Sequence, residues 1–306
     1  MNILDSIDKW LLRGRYVELV RDKVALYPSE CGIKIGDKKV GSCLRAMYYS
    51  RKNIPESDPT DAGGYWTMSL GKQVEVMVLN WLSDMGVLVS RNAKFNIQQY
   101  NISGEVDGIC WNFEWKDKYP IIVEPRTFVG IEIKSAYGYK FYTSINTYPT
   151  LEHLLQVLCY MKCNPQLPLF KLIYVARDNP RENKKEYTIG ITEKEEIVVD
   201  GKINYTINWQ GIEIEWKKFE DYWKKQELPP RDYTWNYNKR QVLEMFEAGI
   251  ITKNKYKAYL RGEELVSDWE CLYCSYLNYC YPERVEEETY AEQKEKQLIA
   301  KKEVKK

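Results

Sequence analysis

Three closely spaced cysteines near the end of the chain, Cys271, Cys274 and Cys280, constrain the fold more than any other feature. Clustered thiolates suit zinc or iron–sulfur, and such sites usually take four protein ligands. A fourth ligand must therefore come from a distant part of the 306-residue chain. The best candidate is Cys43, with Cys31 as an alternative. A site built from these residues would join the two ends of the chain around the segment between them.

The composition fits a folded protein without a membrane partner. Hydrophobic residues make up 44% of the chain and charged residues 29%, unlike the composition of disordered chains. Apolar runs of membrane-spanning length and a secretory signal pattern are both missing from the sequence, so we expect a cytoplasmic protein. The eight cysteines show metal-ligand spacing more than a disulfide framework. Because the formal net charge is +1, any nucleic-acid groove must be local.

Hydrophobic periodicity predicts helices and strands that alternate in blocks along the chain. This order favours an α/β or α+β domain in which helices pack on a sheet. We expect one domain with an N-terminal segment (1–60), a core (61–200), a C-terminal helical segment (201–284) and a charged tail (285–306). The predicted helices lie in the first fifteen residues and at about 42–52, 66–84, 150–163 and 212–225; the predicted strands lie at 95–100, 104–111, 130–135, 170–176 and 185–192.

Two acidic residues lie inside apolar, strand-like segments. Asp107 belongs to the segment 104–109, and Glu132 to 130–135. Because side chains alternate along a strand, Glu132 and Lys134 share one face while isoleucines occupy the other. An ionised carboxylate in such a setting needs a partner, and a divalent cation prefers oxygen ligands. The pattern predicts that Glu132 and Lys134 face a cleft, and a divalent cation is one partner that such a carboxylate can take.

Further polar residues lie on predicted helices. Gln156 and Tyr160 are four positions apart and share one helical face. His153 could lie on that face too, although a lone histidine is more often structural. Glu75 interrupts an apolar helix, either as another metal ligand or as a solvent-facing or ion-paired side chain. The remaining cysteines are most simply core residues: Cys110, Cys159 and Cys163.

Taken in order, these motifs resemble those of the RecB-like branch of the PD-(D/E)XK nuclease superfamily. The cysteines around them are similar to those of the CRISPR-associated RecB-like exonucleases (the Cas four family) and, more distantly, of AddB-type nuclease domains. The resemblance spans about residues 41–281, and it departs from the family at Glu75, where the family has a metal-ligating His. The matching residues are Cys43, Asp107, Glu132, Lys134, Gln156, Tyr160, Cys271, Cys274 and Cys280.

The resemblance implies a restriction-endonuclease-like α/β core, with a central mixed sheet flanked by helices. It implies Mg²⁺ or Mn²⁺ bound by Asp107 and Glu132, with Glu75 and the main-chain carbonyl of Ile133 as further ligands. Lys134 would orient or activate water beside the metal. The reaction implied is the hydrolysis of phosphodiester bonds in DNA.

Other implications concern the ends of the chain and the partners. Gln156 and Tyr160 would contact DNA or support the site, and a largely structural 4Fe-4S cluster would join the N- and C-terminal segments. The implied substrate is DNA with single-stranded ends, degraded exonucleolytically. The implied partners are DNA-processing or CRISPR adaptation proteins.

Three alternatives stay open. The cysteines could hold zinc instead of iron and sulfide. The chain could be a catalytically weakened DNA- or protein-binding subunit, as the replacement of the family histidine by Glu75 allows. It could also be a zinc-dependent transcription or scaffold protein. Spacer acquisition, recombination and viral genome processing differ in partners rather than in active-site residues, so all three pathways are compatible with the motifs.

Overall fold

The chain forms two compact units. The computed structural model describes residues 3–13, 25–98, 101–116, 118–124 and 126–283. The first unit takes the described residues of Met1–Ser42 and Thr60–Lys225, and the second takes those of Cys43–Pro59 and Gln226–Lys306. The second unit therefore combines two segments that are far apart in the sequence. The predicted tail, 285–306, lies outside the described residues.

A seven-stranded mixed sheet forms the centre of the first unit, with strand order β11-β10-β9-β8-β7-β4-β3. Strands β7 and β8 run parallel, and the other neighbouring pairs of this sheet run antiparallel. Two hairpins, β1–β2 and β5–β6, lie outside it. The strands are β1 Gly32–Ile35, β2 Lys38–Gly41, β3 Leu88–Ile97, β4 Ile102–Trp111, β5 Phe113–Lys116, β6 Tyr119–Ile122, β7 Phe128–Ala136, β8 Leu169–Ala176, β9 Lys184–Ile191, β10 Glu196–Val199 and β11 Lys202–Asn208.

The helices are divided between the units. The first unit contains α1, α3, α4, α5 and α6, and the second contains α2 and α7 to α10. The helices are α1 Ile3–Arg13, α2 Leu44–Arg51, α3 Ala62–Asp84, α4 Gly138–Lys140, α5 Leu151–Cys163, α6 Trp209–Lys225, α7 Lys239–Glu247, α8 Lys253–Leu260, α9 Trp269–Leu272 and α10 Leu277–Cys280. In the described residues, no helix is both long and apolar enough to span a membrane.

Helix α3 covers 23 residues and has a defined start and end. The Asp61 carboxylate accepts a hydrogen bond from the Gly64 N–H at 2.7 Å, which satisfies one of the amides that a first helical turn leaves unpaired. After the last turn, Gly86 has a φ of 73°, a left-handed conformation that favours glycine. The helix is thus held at both ends beside the sheet.

One face of the sheet packs against α3. Leu79 of this helix belongs to a buried cluster with Ile131 and Ile133 of β7, as the strand alternation predicts. Gly108 of β4 makes room for the helix, because a Cβ at this position would lie 2.8 Å from Leu79 Cδ2. The glycine after Asp107 is therefore required for space and not for a left-handed backbone conformation.

Helix α5 lies in the connection between the parallel strands β7 and β8, since parallel neighbours need a crossover. It packs against β4, β8 and β9. Every residue from Leu154 to Met161 is buried, including Gln156 and Tyr160. A helix that is buried on nearly all sides places these two polar side chains inside the protein.

The second unit joins α2 to the C-terminal segment. The Leu44 N–H donates to Asp232 Oδ2 at 2.8 Å, and the N–H groups of Ser57 and Asp58 donate to the Ser275 carbonyl at 2.8 and 3.0 Å. These bonds fix residues 43–59 against residues 226–283. The unit has two buried clusters, one of Tyr233, Cys271, Leu277 and Tyr281 and one of Val242, Ile251 and Val266.

The structure confirms the α/β class and the five predicted helices, whose ends agree to within four residues. Four predicted strands match β4, β7, β8 and β9 to within two residues. The strand predicted at 95–100 was placed too late, because β3 begins at Leu88 with a stretch containing Ser90, Arg91 and Asn92, which lacks an apolar pattern. The strands not predicted are β1, β2, β5, β6, β10 and β11.

Candidate active site

The site lies where strands β4 and β7 stop pairing. Their antiparallel ladder runs from Trp111 and Phe128 to Gly108 and Ile131, although β4 continues to Ile102 paired with β3. The next step of the ladder would place Asp107 opposite Glu132. Instead, the Ile133 N–H donates to Asp107 Oδ2 at 2.8 Å. The end of the ladder therefore places two carboxylates beside each other.

Glu132 is a buried carboxylate with one satisfied oxygen. The residue is only 1% exposed, and its Oε1 lies 2.6 Å from Lys134 Nζ. Within the described structure, its Oε2 is buried without a hydrogen-bond partner. Burial raises the pKa of Glu132 and Glu75 adds to the rise, whereas Lys134 and, to a smaller extent, the nearby Tyr160 hydroxyl oppose it. A buried polar atom without a partner is costly and therefore rare in native proteins.

Asp107 also resists ionisation. Burial, and then the charge of Glu132, raise the pKa of Asp107 to about 8, although the hydrogen bond from the Ile133 N–H acts in the opposite direction. Two carboxylates that share a site raise each other's pKa because both cannot ionise freely. A bound dication would reverse this effect, since it would be the largest local charge.

Lys134 is held by a chain of hydrogen bonds from α5. Its Nζ donates to Gln156 Oε1 at 2.9 Å, and Gln156 Nε2 donates to the Tyr160 hydroxyl at 2.7 Å. The hydroxyl in turn donates to the Glu105 carbonyl of β4 at 3.0 Å. The two predicted helix residues thus meet the predicted lysine, and they link it back to the strand that carries Asp107.

Glu75 of α3 is both ion-paired and close to the carboxylates. Its Oε1 lies 2.5 Å from Lys72 Nζ, and its side chain is 14% exposed. Its charge contributes to the raised pKa values of Asp107 and Glu132. The sequence left two interpretations of Glu75 open, an ion-paired side chain and a further metal ligand. In the structure, the ion pair and the position close to Asp107 and Glu132 occur together.

His153 does not join this network. Its Nδ1 lies 2.9 Å from the Tyr174 hydroxyl, and the two rings pack at 5.6 Å between centroids. Burial, with smaller contributions from Lys134 and Lys140, lowers the pKa of His153 to about 3. The imidazole is therefore neutral at physiological pH and has a structural contact.

Two charged residues near the site were not predicted. Glu105 precedes Asp107 by two positions on β4, and its Oε1 accepts from Asn92 Nδ2 at 2.6 Å. Lys72 lies near enough for Glu75, Asp107 and Glu105 all to raise its pKa, against the lowering effect of burial. The sequence carried a signal for Glu105, because residues two apart on a strand share a face.

The carboxylates fit a divalent cation in chemistry, although their spacing falls short of a preformed site. Among the described residues, no group of three or more His, Cys, Asp or Glu side chains is arranged to hold a metal ion. However, the unpartnered Glu132 Oε2 and the mutual repulsion of Asp107 and Glu132 are both features that a hard dication would satisfy. These two residues therefore fit as ligands.

The second unit brings the cysteine triplet and Cys43 to one cavity, which all four line together with Tyr233 and Leu277. Burial raises the pKa of Cys43 to about 11, and Cys274 adds to the rise. Such thiols are neutral in the absence of a metal, whereas a bound metal deprotonates its cysteines. All four thiols line this cavity, but within the described residues they are not arranged as a metal site.

The other cysteines lie elsewhere. Cys31 is buried in the first unit, where its thiol lies within hydrogen-bond reach of Cys159, as does that of Cys163. Cys110 is buried in the cluster under α3. The structure therefore places Cys43, and not Cys31, with the triplet.

No protein-family model matches the chain, and no curated protein matches it. Among solved structures, the chain is similar to an alkaline exonuclease (LHK-Exo) from Laribacter hongkongensis, with 12% sequence identity over 79% of this chain and 100% of the other, at a TM-score of 0.43. The likeness is weak at this score, so the chemistry must be drawn from the side chains themselves.

Proposed function

We propose that this protein is a metal-dependent DNA nuclease of the PD-(D/E)XK type. The observation that carries the proposal is the junction of β4 and β7, where Asp107 and Glu132 lie beside each other, Glu132 Oε2 has no partner in the described structure, and Lys134 is fixed by α5. The order of motifs in the sequence supports the same assignment. The reaction would be the hydrolysis of phosphodiester bonds.

In this proposal Asp107 and Glu132 hold Mg²⁺ or Mn²⁺, with Glu75 and the Ile133 carbonyl as further ligands. A cation held by these residues would supply Lewis-acid chemistry, since it would lower the pKa of a neighbouring water. Lys134 supplies positive charge where the phosphate gains negative charge in the transition state. Its ammonium is already oriented by two acceptors, Glu132 Oε1 at 2.6 Å and Gln156 Oε1 at 2.9 Å.

The network from Gln156 to the Glu105 carbonyl serves as a support for Lys134. The Tyr160 hydroxyl is in its protonated form, because burial and the charge of Glu132 raise its pKa far above the usual range. It therefore donates to the main chain and accepts from Gln156 at the same time. Fixed donors of this kind need no reorganisation during the reaction.

The finer assignments follow from the resemblance. We infer an exonuclease that acts on DNA with single-stranded ends, in CRISPR adaptation or in phage or recombination DNA processing, with the proteins of those pathways as partners. The four cysteines would hold a structural 4Fe-4S cluster. Iron and sulfide analysis of anaerobically purified protein tests this part: Cys274→Ser should lose iron, and a colourless protein with zinc alone would contradict it.

A nuclease assay tests the proposed function. Purified protein is incubated with end-labelled single-stranded DNA and Mn²⁺, alongside Asp107→Asn and Lys134→Met. Both variants should lose at least 100-fold in rate, in line with the removal of a charge that acts on the transition state (about 10²–10³). Asp84→Asn changes an exposed carboxylate at the end of α3 and should retain full activity.

A second candidate function is a binding subunit that has lost catalysis. The observation that favours it is the Lys72–Glu75 ion pair, which neutralises the side chain at the position of the family's histidine. In that case, the protein would bind DNA without degrading it, and Asp107→Asn and Lys134→Met would leave its affinity for DNA unchanged.

A further inference from the structure

Three exposed tyrosines follow the strand that carries Glu132 and Lys134. Tyr137, Tyr139 and Tyr142 are 53%, 76% and 70% exposed. Tyr137 comes three residues after Lys134, so at about 3.3 Å per residue their Cα atoms lie within about 10 Å of each other. Single exposed aromatic side chains need no explanation, but three within six residues of the chain are a local concentration of exposed rings.

Helix α4 and the helical turn that follows it, Phe141–Ile145, carry Tyr139 and Tyr142, and both are anchored to the rest of the unit. Phe141 and Ile145 are buried, and the Tyr187 hydroxyl donates to the Ile145 carbonyl. At the start of the turns, the Gly138 N–H donates to Asp178 Oδ1 at 2.8 Å. The tyrosines are therefore presented on a fixed backbone, which reduces the entropy lost when a ligand binds.

Positive charge accompanies the rings. The Arg177 guanidinium carbon lies 4.4 Å from the centre of the Tyr137 ring, within the range of a cation–π interaction. Arg177 Nη1 also donates to the Thr67 carbonyl at 3.1 Å, which fixes the guanidinium. Lys140 is exposed between Tyr139 and Tyr142. Aromatic faces combined with cations are the groups that bind the bases and phosphates of an unpaired strand.

We propose that the tyrosine patch, defined as Tyr137, Tyr139, Lys140 and Tyr142, holds unpaired bases of single-stranded DNA beside the catalytic carboxylates. This inference rests on the proposed nuclease function and assigns its substrate-positioning residues. The faces of duplex bases are covered by their neighbours, whereas every unpaired base has a free face that can stack on a ring. The patch therefore favours single strands over blunt duplexes.

Equilibrium binding of a fluorescent thymidine oligonucleotide to the full chain, without divalent metal, tests the patch. Tyr139→Ala/Tyr142→Ala removes two rings on which bases can stack, so it should weaken binding about 30-fold or more. The matched pair Tyr139→Phe/Tyr142→Phe keeps the rings and should bind as the wild type does. Tyr205→Ala removes an equally exposed tyrosine of β11 and should have no effect.

Salt dependence separates stacking from charge. Lys140→Ala should reduce the slope of log Kd against log salt by about 0.7, the value for one phosphate contact to a single strand. The tyrosine variants should leave that slope unchanged. Blunt duplex of the same length should bind the wild type and Tyr139→Ala/Tyr142→Ala equally.

Two results would overturn the patch: unchanged single-strand binding by the double alanine variant, or an equal loss of duplex binding. If one of these two results is found while Asp107→Asn still abolishes hydrolysis, the proposed function stands. The tyrosines then have another partner, such as a protein. Conversely, single-strand binding through the tyrosines by a protein that hydrolyses no DNA would support the patch and contradict the nuclease.

Discussion

Asp107→Asn should stabilise the metal-free protein while it abolishes activity. The pKa of Asp107 rises from 3.8 to about 8, mainly through burial and then through Glu132. Between these two values the native state binds more protons than the unfolded state, so stability must fall as pH rises through this window. Asparagine cannot ionise, and its oxygen can still accept from the Ile133 N–H. The stability of the variant therefore does not fall with pH through this group.

The magnitude follows from the pKa. Each tenfold change in acidity is worth about 1.36 kcal/mol, so the ionised Asp107 destabilises the metal-free fold by up to about 6 kcal/mol at high pH. Between pH 5 and pH 8, the advantage of Asp107→Asn should grow by up to about 4 kcal/mol. For a chain of this size, that corresponds to a Tm difference on the order of 5–10 °C.

Thermal unfolding of both proteins in EDTA at pH 5 and pH 8 measures this difference. Adding Mg²⁺ at pH 8 should raise the Tm of the wild type and leave the variant unchanged, because a ligand that binds only the native state stabilises it. Asp84→Asn, at an exposed position, controls for the loss of one negative charge. The reasoning fails if the Tm difference between Asp107→Asn and wild type is the same at both pH values.

Three further variants test the fold and the network. Lys39→Met removes one of the two lysines that pair with the buried Glu215, at 2.5 Å, and leaves Lys218 at 2.6 Å. It should cost about 1–3 kcal/mol in the free energy of unfolding, because one buried carboxylate oxygen loses its partner, and Lys39→Met/Glu215→Leu should recover most of this. An unchanged midpoint in urea for the single variant would contradict this. Gly108→Ala places a methyl group against α3 and should lower the free energy of unfolding by about 1–3 kcal/mol. The control is Gly190→Ala in the same sheet, where a Cβ would meet other atoms only at 3.7 Å or more. This control should unfold at nearly the wild-type urea concentration. Tyr160→Phe removes the hydrogen bond to the β4 main chain. It should lower kcat about 10-fold or more with little change in KM, because a small displacement of Lys134 is costly. An unaltered kcat would mean that Lys134 is held in place without this hydrogen bond.

Alternation along β7 could be read directly from the sequence. Ile131 and Ile133 lie in the α3 cluster, while Glu132 and Lys134 reach the opposite helix, α5. Helical spacing likewise placed Gln156 beside Tyr160. Local periodicity decides which face a side chain occupies, so these features needed no knowledge of the tertiary structure.

The remaining features depend on contacts between distant segments. The ladder of β4 and β7 ends at Gly108 because of how the strands diverge, and no local pattern records where pairing stops. The short hairpins contain strands of only four residues, too few for a period of two to be recognised. The space that Gly108 leaves for Leu79 also depends on packing between elements that are 29 positions apart in the chain.

The charges around the junction of β4 and β7 are consistent with the cation in the proposed function. Four carboxylates and two lysines interact electrostatically, which gives a formal charge of −2 when all six are ionised. They are Glu75, Glu105, Asp107, Glu132, Lys72 and Lys134. Each lysine already lies against a glutamate, so the lysines offer little further neutralisation to Asp107 or to Glu132 Oε2. Without a metal, the site lowers its charge by keeping a proton on a buried carboxylate, since burial raises the pKa of both Asp107 and Glu132. One divalent cation would balance the formal charge, displace that proton and give the unpartnered oxygen of Glu132 a ligand bond.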